Sequence, residues 1–281
     1  MTTLRTAEHC LGFETNFFSR EGLPEEKVQM VFTSNSRPTS TAMEKDILEY
    51  WKQHRTAGQF DGDRVRFEGL HYRRKDECLT VSYSYEKYRT YFFFTRKKFP
   101  KAYHPRLLGA YLIIITKDGM IPIGLREQPE GHSEWWSIAP AGYVDVMRIS
   151  RGNRWRAETF WNTAARESEE ELAAPEKLDK SKIRLIGVFS SYATNWDVDA
   201  TMVARVSYDS SEIRLKGSEH ESLKFLETSE ESLREELQEI VQKRASFGYL
   251  GANIALLLGH LYGLDDYRQT LEKIVRHSKQ I

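Results

Sequence analysis

Apolar residues along the chain fall into two rhythms. Leu79, Val81 and Tyr83 alternate with polar neighbours over Cys78–Tyr85, the period of a strand with one buried face. Arg64–Tyr72 is predicted as its partner, after a turn at GQFDGD in which Asp61–Gly62 is a hairpin-type dipeptide. Val28–Thr33 is a short strand. Ile47, Leu48 and Trp51 recur at helical spacing, and Thr41 with Glu44 reads as a capping box, so a helix is predicted from there to about His54. Past the basic, Pro-marked segment Lys97–Pro105 the texture changes. Leu107–Thr116 is almost continuously apolar and rich in Ile, which suits a strand buried on both faces. Lys117-Asp118-Gly119 turns it, and Met120–Arg126 is predicted as its partner. Trp135–Ala139 is another strand, ending in Pro140-Ala141-Gly142. Glu158–Leu172 is predicted helical, with Phe160, Thr163, Ala164 and Leu172 towards a core. Strands follow at Lys182–Ser190, Ala200–Ser207 and Glu221–Leu226, then a Glu-rich helix at Ser229–Lys243. One long or two short helices occupy Ala252–Val275, broken near Gly263. Strands alternating with helices place the chain in the α/β or α+β class. The texture change sets a boundary: residues 1–104 form an N-terminal α+β unit and 105–281 a second unit.

Composition narrows what such a fold does. The chain has 281 residues with 41 Lys+Arg against 41 Asp+Glu, which argues against coating nucleic acid or an anionic membrane by bulk charge. Two distant cysteines, Cys10 and Cys78, make neither a zinc site nor a disulfide framework, so a reducing cytosol is expected. The first 25 residues contain no apolar stretch suited to a signal peptide. Leu107–Ile115 and Gly251–Leu264 fall short of the ~18 apolar residues of a spanning helix. A cytoplasmic protein without membrane contact is the expectation.

The chemistry concentrates in one predicted helix. Glu167, Glu170 and Glu171 stand at i, i+3 and i+4, on one helical face with Cβ atoms ~5–6 Å apart. They repel each other, and they sit towards the helix C-terminus, where the macrodipole is already negative. Such a cluster is costly unless cations sit on it, and hard divalent cations take oxygen ligands. An ordinary solvated acidic face is the alternative. Glu158 and Arg166, at fixed distances from the cluster, count against it.

This segment resembles the Nudix box, G-x5-E-x7-R-E-U-x-E-E-x-G-U with U apolar. Gly152, Glu158, Arg166, Glu167, Glu170 and Glu171 all fall on the pattern, and WWSIAPAGYVD upstream is similar to the family's strand ending in Pro-Gly-Gly. Gly152 matches the first glycine by spacing; Gly142 matches it by context, with Val146–Ala157 then inserted in the loop, and Gly142 is the one taken as functional. The chain departs from the pattern at Ser168 (apolar in the family), Ala173 (the late glycine) and Ala157. None of these removes a charge, so they bear on loop geometry. The resemblance implies a Nudix-type α/β/α sandwich around a mixed sheet, with the smaller N-terminal unit beside it. It implies Mg²⁺ or Mn²⁺ on Glu167, Glu171, Glu170 and the Gly142 carbonyl. Arg166 would hold Glu158 in place, and Glu170 would bind metal or orient the attacking water. It implies hydrolysis of a nucleoside diphosphate linked to another moiety, with nucleotide sugars of the UDP-sugar or ADP-ribose type foremost. Metal chemistry of this kind needs a carboxylate to take the water's proton; besides Glu170, Glu219 and Glu221 are candidates.

Around the box, Arg154 and Trp155 in RGNRWR could clamp a phosphate or base, or simply form a solvated loop. Tyr192 and Trp196 could stack on a ligand, and Asp197 or Asp199 could meet a ribose hydroxyl. Trp136 and Trp161 are expected in the core. His104, His132 and His220 are isolated and read as surface or core histidines. The N-terminal layout, an FDG turn and two strands ending in YSYEKYRTYFFFTR, is similar to Nudix proteins acting on UDP-sugars; homodimerisation or packing is the competing role. The alternative function is a non-catalytic nucleotide-binding sensor with a Nudix fold.

Overall fold

The computed structural model describes residues 13–33, 40–56, 59–97, 99, 103–126, 135–149, 154–191, 197–217, 219–243, 249–263 and 272–273. In chain order the elements are β1 (Phe13–Leu23), β2 (Val28–Phe32), α1 (Thr41–His54), β3 (Asp63–Arg73), β4 (Cys78–Lys87), α2 (Tyr88–Arg96), β5 (Leu108–Ile115), β6 (Met120–Arg126), β7 (Trp135–Ile138) and β8 (Ala141–Tyr143). They continue with β9 (Val146–Ile149), β10 (Arg154–Ala157), α3 (Phe160–Glu171), β11 (Leu172–Ala173), β12 (Arg184–Ser191), β13 (Val198–Arg205), β14 (Arg214–Leu215), β15 (His220–Glu227), α4 (Glu230–Lys243) and α5 (Leu250–Tyr262).

The Ile-rich run organises the molecule. As expected of a strand apolar at every position, β5 is buried along its whole length. It lies in a five-stranded mixed sheet of order β1-β12-β13-β5-β8, parallel to β13 and antiparallel to β8. Tyr111, Ile113 and Ile115 point to one face, against Leu233 and Leu237 of α4 and Leu250, Ile254 and Leu257 of α5. Leu108, Leu112 and Ile114 point to the other, against Phe160, Trp161 and Ala164 of α3. Helices thus cover both faces of a mixed sheet, the α/β/α layering that the box implied. Each large side chain buried here contributes roughly 1.5–3 kcal/mol.

One pairing differs from expectation. Met120–Arg126 does not pair with β5, because β13 and β8 occupy both of its edges. Instead β6 joins β15 and β7 in a second, antiparallel sheet, and its Ile121 and Ile123 fold back onto Ile113 and Ile115. Two further elements carry no strong sequence signal. β1 supplies an edge strand of the large sheet by pairing with β12, across irregularities in register, so a strand from the N-terminal segment completes the later unit's sheet. Residues 146–157, expected as a loop insertion, contain the β9–β10 hairpin.

The N-terminal unit is a three-stranded sheet, β2-β4-β3, with α1 and α2. The predicted hairpin is present as β3 and β4. The helix cap lies one residue earlier than the predicted Thr41: the Ser40 side chain accepts from Met43 N at 3.2 Å. At the other end of the chain α5 stops at Gly263, whose φ of 111° favours glycine. Helix α5 approaches β12 so closely that a Cβ on Gly187 would lie 2.7 Å from Leu256. Its buried Asn253 accepts from the Thr201 hydroxyl at 2.8 Å. Among the described residues no helix is long and apolar enough to cross a membrane.

Candidate active site

The site grows from α3. Thr159 caps its N-terminus, accepting from Asn162 N at 3.2 Å, and Trp161 anchors it by donating Nε1–H to the Ile183 carbonyl at 3.1 Å. Its buried stripe runs Phe160, Ala164, Glu167, Glu171, the i, i+4, i+7, i+11 spacing of one helical face. Two of the clustered glutamates therefore continue the apolar stripe into the protein, while Glu169 and Glu170 face solvent. The solvated-face reading holds for those two alone.

Arg166 is the cation that makes this tolerable. Its Nε and Nη2 donate to Glu158, at 3.3 and 3.1 Å, and Nη1 donates to Glu167 at 2.6 Å and Glu170 at 3.3 Å. Nη2 also reaches the Tyr143 carbonyl at 3.1 Å and Asp145 at 3.4 Å. Burial works against the guanidinium, but the bond to Glu158 and the charge of Glu167 outweigh it and raise its pKa. Glu158 is held from the other side by the Thr163 hydroxyl at 3.0 Å.

Glu167 and Glu171 lie against β8. A Cβ on Gly142 would fall 1.8 Å from Glu167 Oε1, so any larger residue there would displace the Glu167 side chain, and Gly142 faces the box. Gly152, its rival by spacing, lies outside the described residues. Burial pushes the Glu167 carboxyl up to about 7, Arg166 pulls it down, and Glu171 and Glu170 push it further up. We expect Gly142→Ala to displace Glu167 and cost about 1–3 kcal/mol, as overpacking does. Urea denaturation should show the loss, and an unchanged midpoint would contradict the contact.

Glu171 is nearly inaccessible, at 2%. Its Oε2 accepts from Ala141 N at 3.2 Å and faces His220 Nε2 at 3.0 Å, while Oε1 accepts from Arg126 Nη2 at 3.3 Å. Arg126 also donates to the Ala141 carbonyl at 2.7 Å and stands 3.6 Å from Glu219. Of the two acids proposed near β15, Glu219 is thus the one drawn to the cluster. Glu221 is exposed, one residue beyond a histidine whose ring turns inward. Arg126, His220 and Asp145 complete the site and were not among the residues singled out for it. Arg126 closes an apolar strand, which is a weak signal; His220 has no motif at all.

The other predicted residues are distributed differently. Trp155 lies on β10 with 55% exposure, as a loop aromatic should, and among the described residues no hydrogen bond, ion pair or ring contact ties it to the glutamates. Arg154 shares that strand, but its side chain, like the whole of Tyr192 and Trp196, lies outside the described residues. Trp161 is buried, and Trp136 packs against the core with Lys224 Nζ 4.8 Å from its ring. Asp197 is not open to a ribose. It accepts from Leu107 N at 2.9 Å and from the hydroxyls of Tyr91 and Tyr143 at 2.9 and 3.1 Å. Tyr91 belongs to α2, so this carboxylate joins the N-terminal unit to the site. Asp199 is buried beside it, with Oδ2 lacking a partner.

Asp197, like Glu167, is pushed up to about 7 by burial. Both folded values exceed the ordinary carboxylate range of about 4. The stability linked to these protons is complete below about pH 4 and is lost as pH rises through 7. We expect the cation-free protein to melt at higher temperature at pH 6.5 than at pH 8.5, as read by calorimetry. His260, lowered by burial, opposes the trend only below its ordinary value of about 6.5. A midpoint that stays flat or rises from pH 6.5 to pH 8.5 would contradict the burial of the two acids.

The donor set is all oxygen, which suits a hard divalent cation, and burial leaves Glu167 short of compensating charge. Among the described residues no three His, Cys, Asp or Glu side chains converge as a ready-made ligand set, and Arg166 and Arg126 contact the carboxylate oxygens. The residue chemistry fits the ion; binding it would require Arg166 and Arg126 to release carboxylate oxygens of Glu167 and Glu171.

No family model matches the chain, and no curated protein does. Solved structures do. The NUDIX domain of Shewanella oneidensis NrtR, complexed with ADP ribose, is 17% identical over 64% of this chain and 97% of that one, with a TM-score of 0.34. A NUDIX hydrolase from Alicyclobacillus acidocaldarius is 16% identical over 55% of this chain and 90% of that one, with a TM-score of 0.37. An Ap4A hydrolase from C. elegans is 19% identical over 56% of this chain and 98% of that one, with a TM-score of 0.36. The likeness is to Nudix proteins.

Proposed function

We propose that this chain is a Nudix-type pyrophosphohydrolase, dependent on Mg²⁺ or Mn²⁺, that cleaves a nucleoside diphosphate linked to another moiety. The observation that carries the proposal is the burial of Glu167 and Glu171 on the core-facing stripe of α3, against the glycine at 142, with Arg166 holding Glu158 behind them. A cluster made only for solubility would face water. Glu167, Glu171, Glu170 and the Gly142 carbonyl would hold the ion, which supplies positive charge against the diphosphate and acidifies a water. Arg166 keeps the carboxylates from turning away. Glu170, exposed at the rim, or Glu219 beside Arg126, would take the proton from the attacking water. Water adds across the P–O–P link, so a nucleotide sugar would give a nucleoside monophosphate and a sugar phosphate. Nucleotide sugars rank first because the N-terminal layout, an FDG turn and two strands ending in YSYEKYRTYFFFTR, is similar to that of Nudix proteins acting on UDP-sugars. Arg154, Trp155, Tyr192 and Trp196 are candidates for holding the nucleotide.

The test is incubation with UDP-sugars, ADP-ribose, dinucleoside polyphosphates and oxidised nucleotides in Mg²⁺, with products identified by mass. Turnover of a diphosphate-linked nucleotide, abolished by chelator, is expected. Tight binding of a nucleotide without hydrolysis of any of them would overturn the proposal in favour of a sensor.

A further inference from the structure

Among the described residues, two buried polar atoms without a partner, His220 Nδ1 and Arg126 Nε, belong to side chains whose other nitrogens contact Glu171. The His220 ring is 1% exposed and presents Nε2 to Glu171 Oε2 at 3.0 Å. Two backbone features accompany it. The register of β15 against β6 slips between His220 and Ser222. On the neighbouring strand, residue 124 is glycine, and a Cβ there would lie 2.3 Å from Nδ1. The ring occupies the space that a side chain at 124 would fill.

The chemistry of this placement is uneven. Nε2 facing a carboxylate acts as a donor, while Nδ1 is buried without a partner. An unmet buried polar atom is costly, and an apolar side chain of similar size would fill the same space without that cost. The arrangement is therefore poor packing but a good clamp. It fixes the Glu171 oxygen that Ala141 N–H also holds, while Arg126 holds the other.

We propose that His220 is a positioning residue. Its Nε2–H, with the ring seated over Gly124, sets the rotamer of Glu171 so that this carboxylate stands ready for a divalent cation. This rests on the reading of Glu171 as a metal ligand. Partners that orient ligands in this way are typically worth 10–100-fold in metal affinity or activity.

A pair of near-isosteric substitutions tests it. His220→Gln places an amide N–H where Nε2 now lies. His220→Asn places it at Nδ1, too short to reach Glu171. Mn²⁺ affinity of the whole chain is read by electron paramagnetic resonance, alongside kcat and KM on the best substrate of the panel and the thermal midpoint. For His220→Asn we expect Mn²⁺ binding weakened about 10-fold or more and a lower kcat at nearly unchanged KM. His220→Gln should recover most of both, with similar thermal midpoints for the two variants. Gly124→Ala, which pushes on the ring, should resemble His220→Asn. Wild-type Mn²⁺ affinity and kcat in His220→Asn would overturn the assignment, as would equal losses in the Asn and Gln variants. Glu171→Gln is the reference. If it alone loses metal and turnover, only the role of His220 falls; if it binds Mn²⁺ and turns over as wild type, the metal reading of Glu171 falls and this inference with it.

Discussion

Glu171→Gln is expected to lower turnover of a nucleoside diphosphate substrate at least ~100-fold, with the uncatalysed background as the floor. A loss of that size corresponds to about 2.7 kcal/mol at ~1.4 kcal/mol per tenfold, reasonable for removing one anionic oxygen from a metal contact made in the transition state. The substitution keeps the volume of the side chain, so packing along α3 is preserved. It does change the hydrogen bonds. An amide NH₂ must now face either Arg126 or the donors Ala141 N–H and His220 Nε2, at positions where Glu171 accepts from all three. Some loss of stability is therefore expected as well, and kinetics should be measured well below the variant's own melting temperature. Turnover equal to wild type would remove Glu171 from the site.

Arg166→Ala is expected to have the largest effect on folding. Glu158 and Glu167 are each about 8% accessible through their side chains, and Arg166 reaches both within 3.1 Å. Removing one partner of a buried pair typically costs 3–5 kcal/mol, because the other charge is left without compensation. Arg166 is itself a quarter exposed, so the lower end, about 3 kcal/mol, is the expectation. Two features separate this from a general packing defect. The loss should shrink towards pH 5, because the carboxyls left behind can protonate. It should also shrink when Mg²⁺ is added, because the ion would supply the missing charge. Arg166→Lys should recover little, since a single ammonium cannot span Glu158 and Glu167 as the planar fork does. Denaturant melts of the three proteins, with and without Mg²⁺, measure all of this; a midpoint in Arg166→Ala within error of wild type would contradict the compensation argument.

Much of the fold was legible because its signals are local. The Ile-rich run at β5, the alternation in β4 and the helical spacing of α3 each report a burial pattern that repeats within a few residues. The pairing of Met120–Arg126 was not legible. Which strand lies beside β5 depends on β13, some ninety residues away, and nothing in the local pattern of β6 encodes that. β1 was missed for a related reason. Its burial is irregular, with Phe13, Phe17 and Leu23 inward, and slips in register against β12 break the period-two signal. The hairpin at Val146–Ala157 is rich in arginine, which masks a strand.

The glutamate-bearing helix shows the same division. Spacing alone put Glu167, Glu170 and Glu171 on one side of α3 and placed Glu158 and Arg166 at distances where they could meet, because a helix has a fixed pitch. Which of those acids turn inward was decided by the packing of α3 on the large sheet, which buries Glu167 and Glu171 and leaves Glu170 in water. The approach of Gly142 to Glu167 follows from contact between β8 and α3. The company that Glu171 keeps, Arg126 from β6 and His220 from β15, comes from a second sheet folding over the first. Side chains that meet only through such long-range closure leave no mark on their own neighbours in the chain.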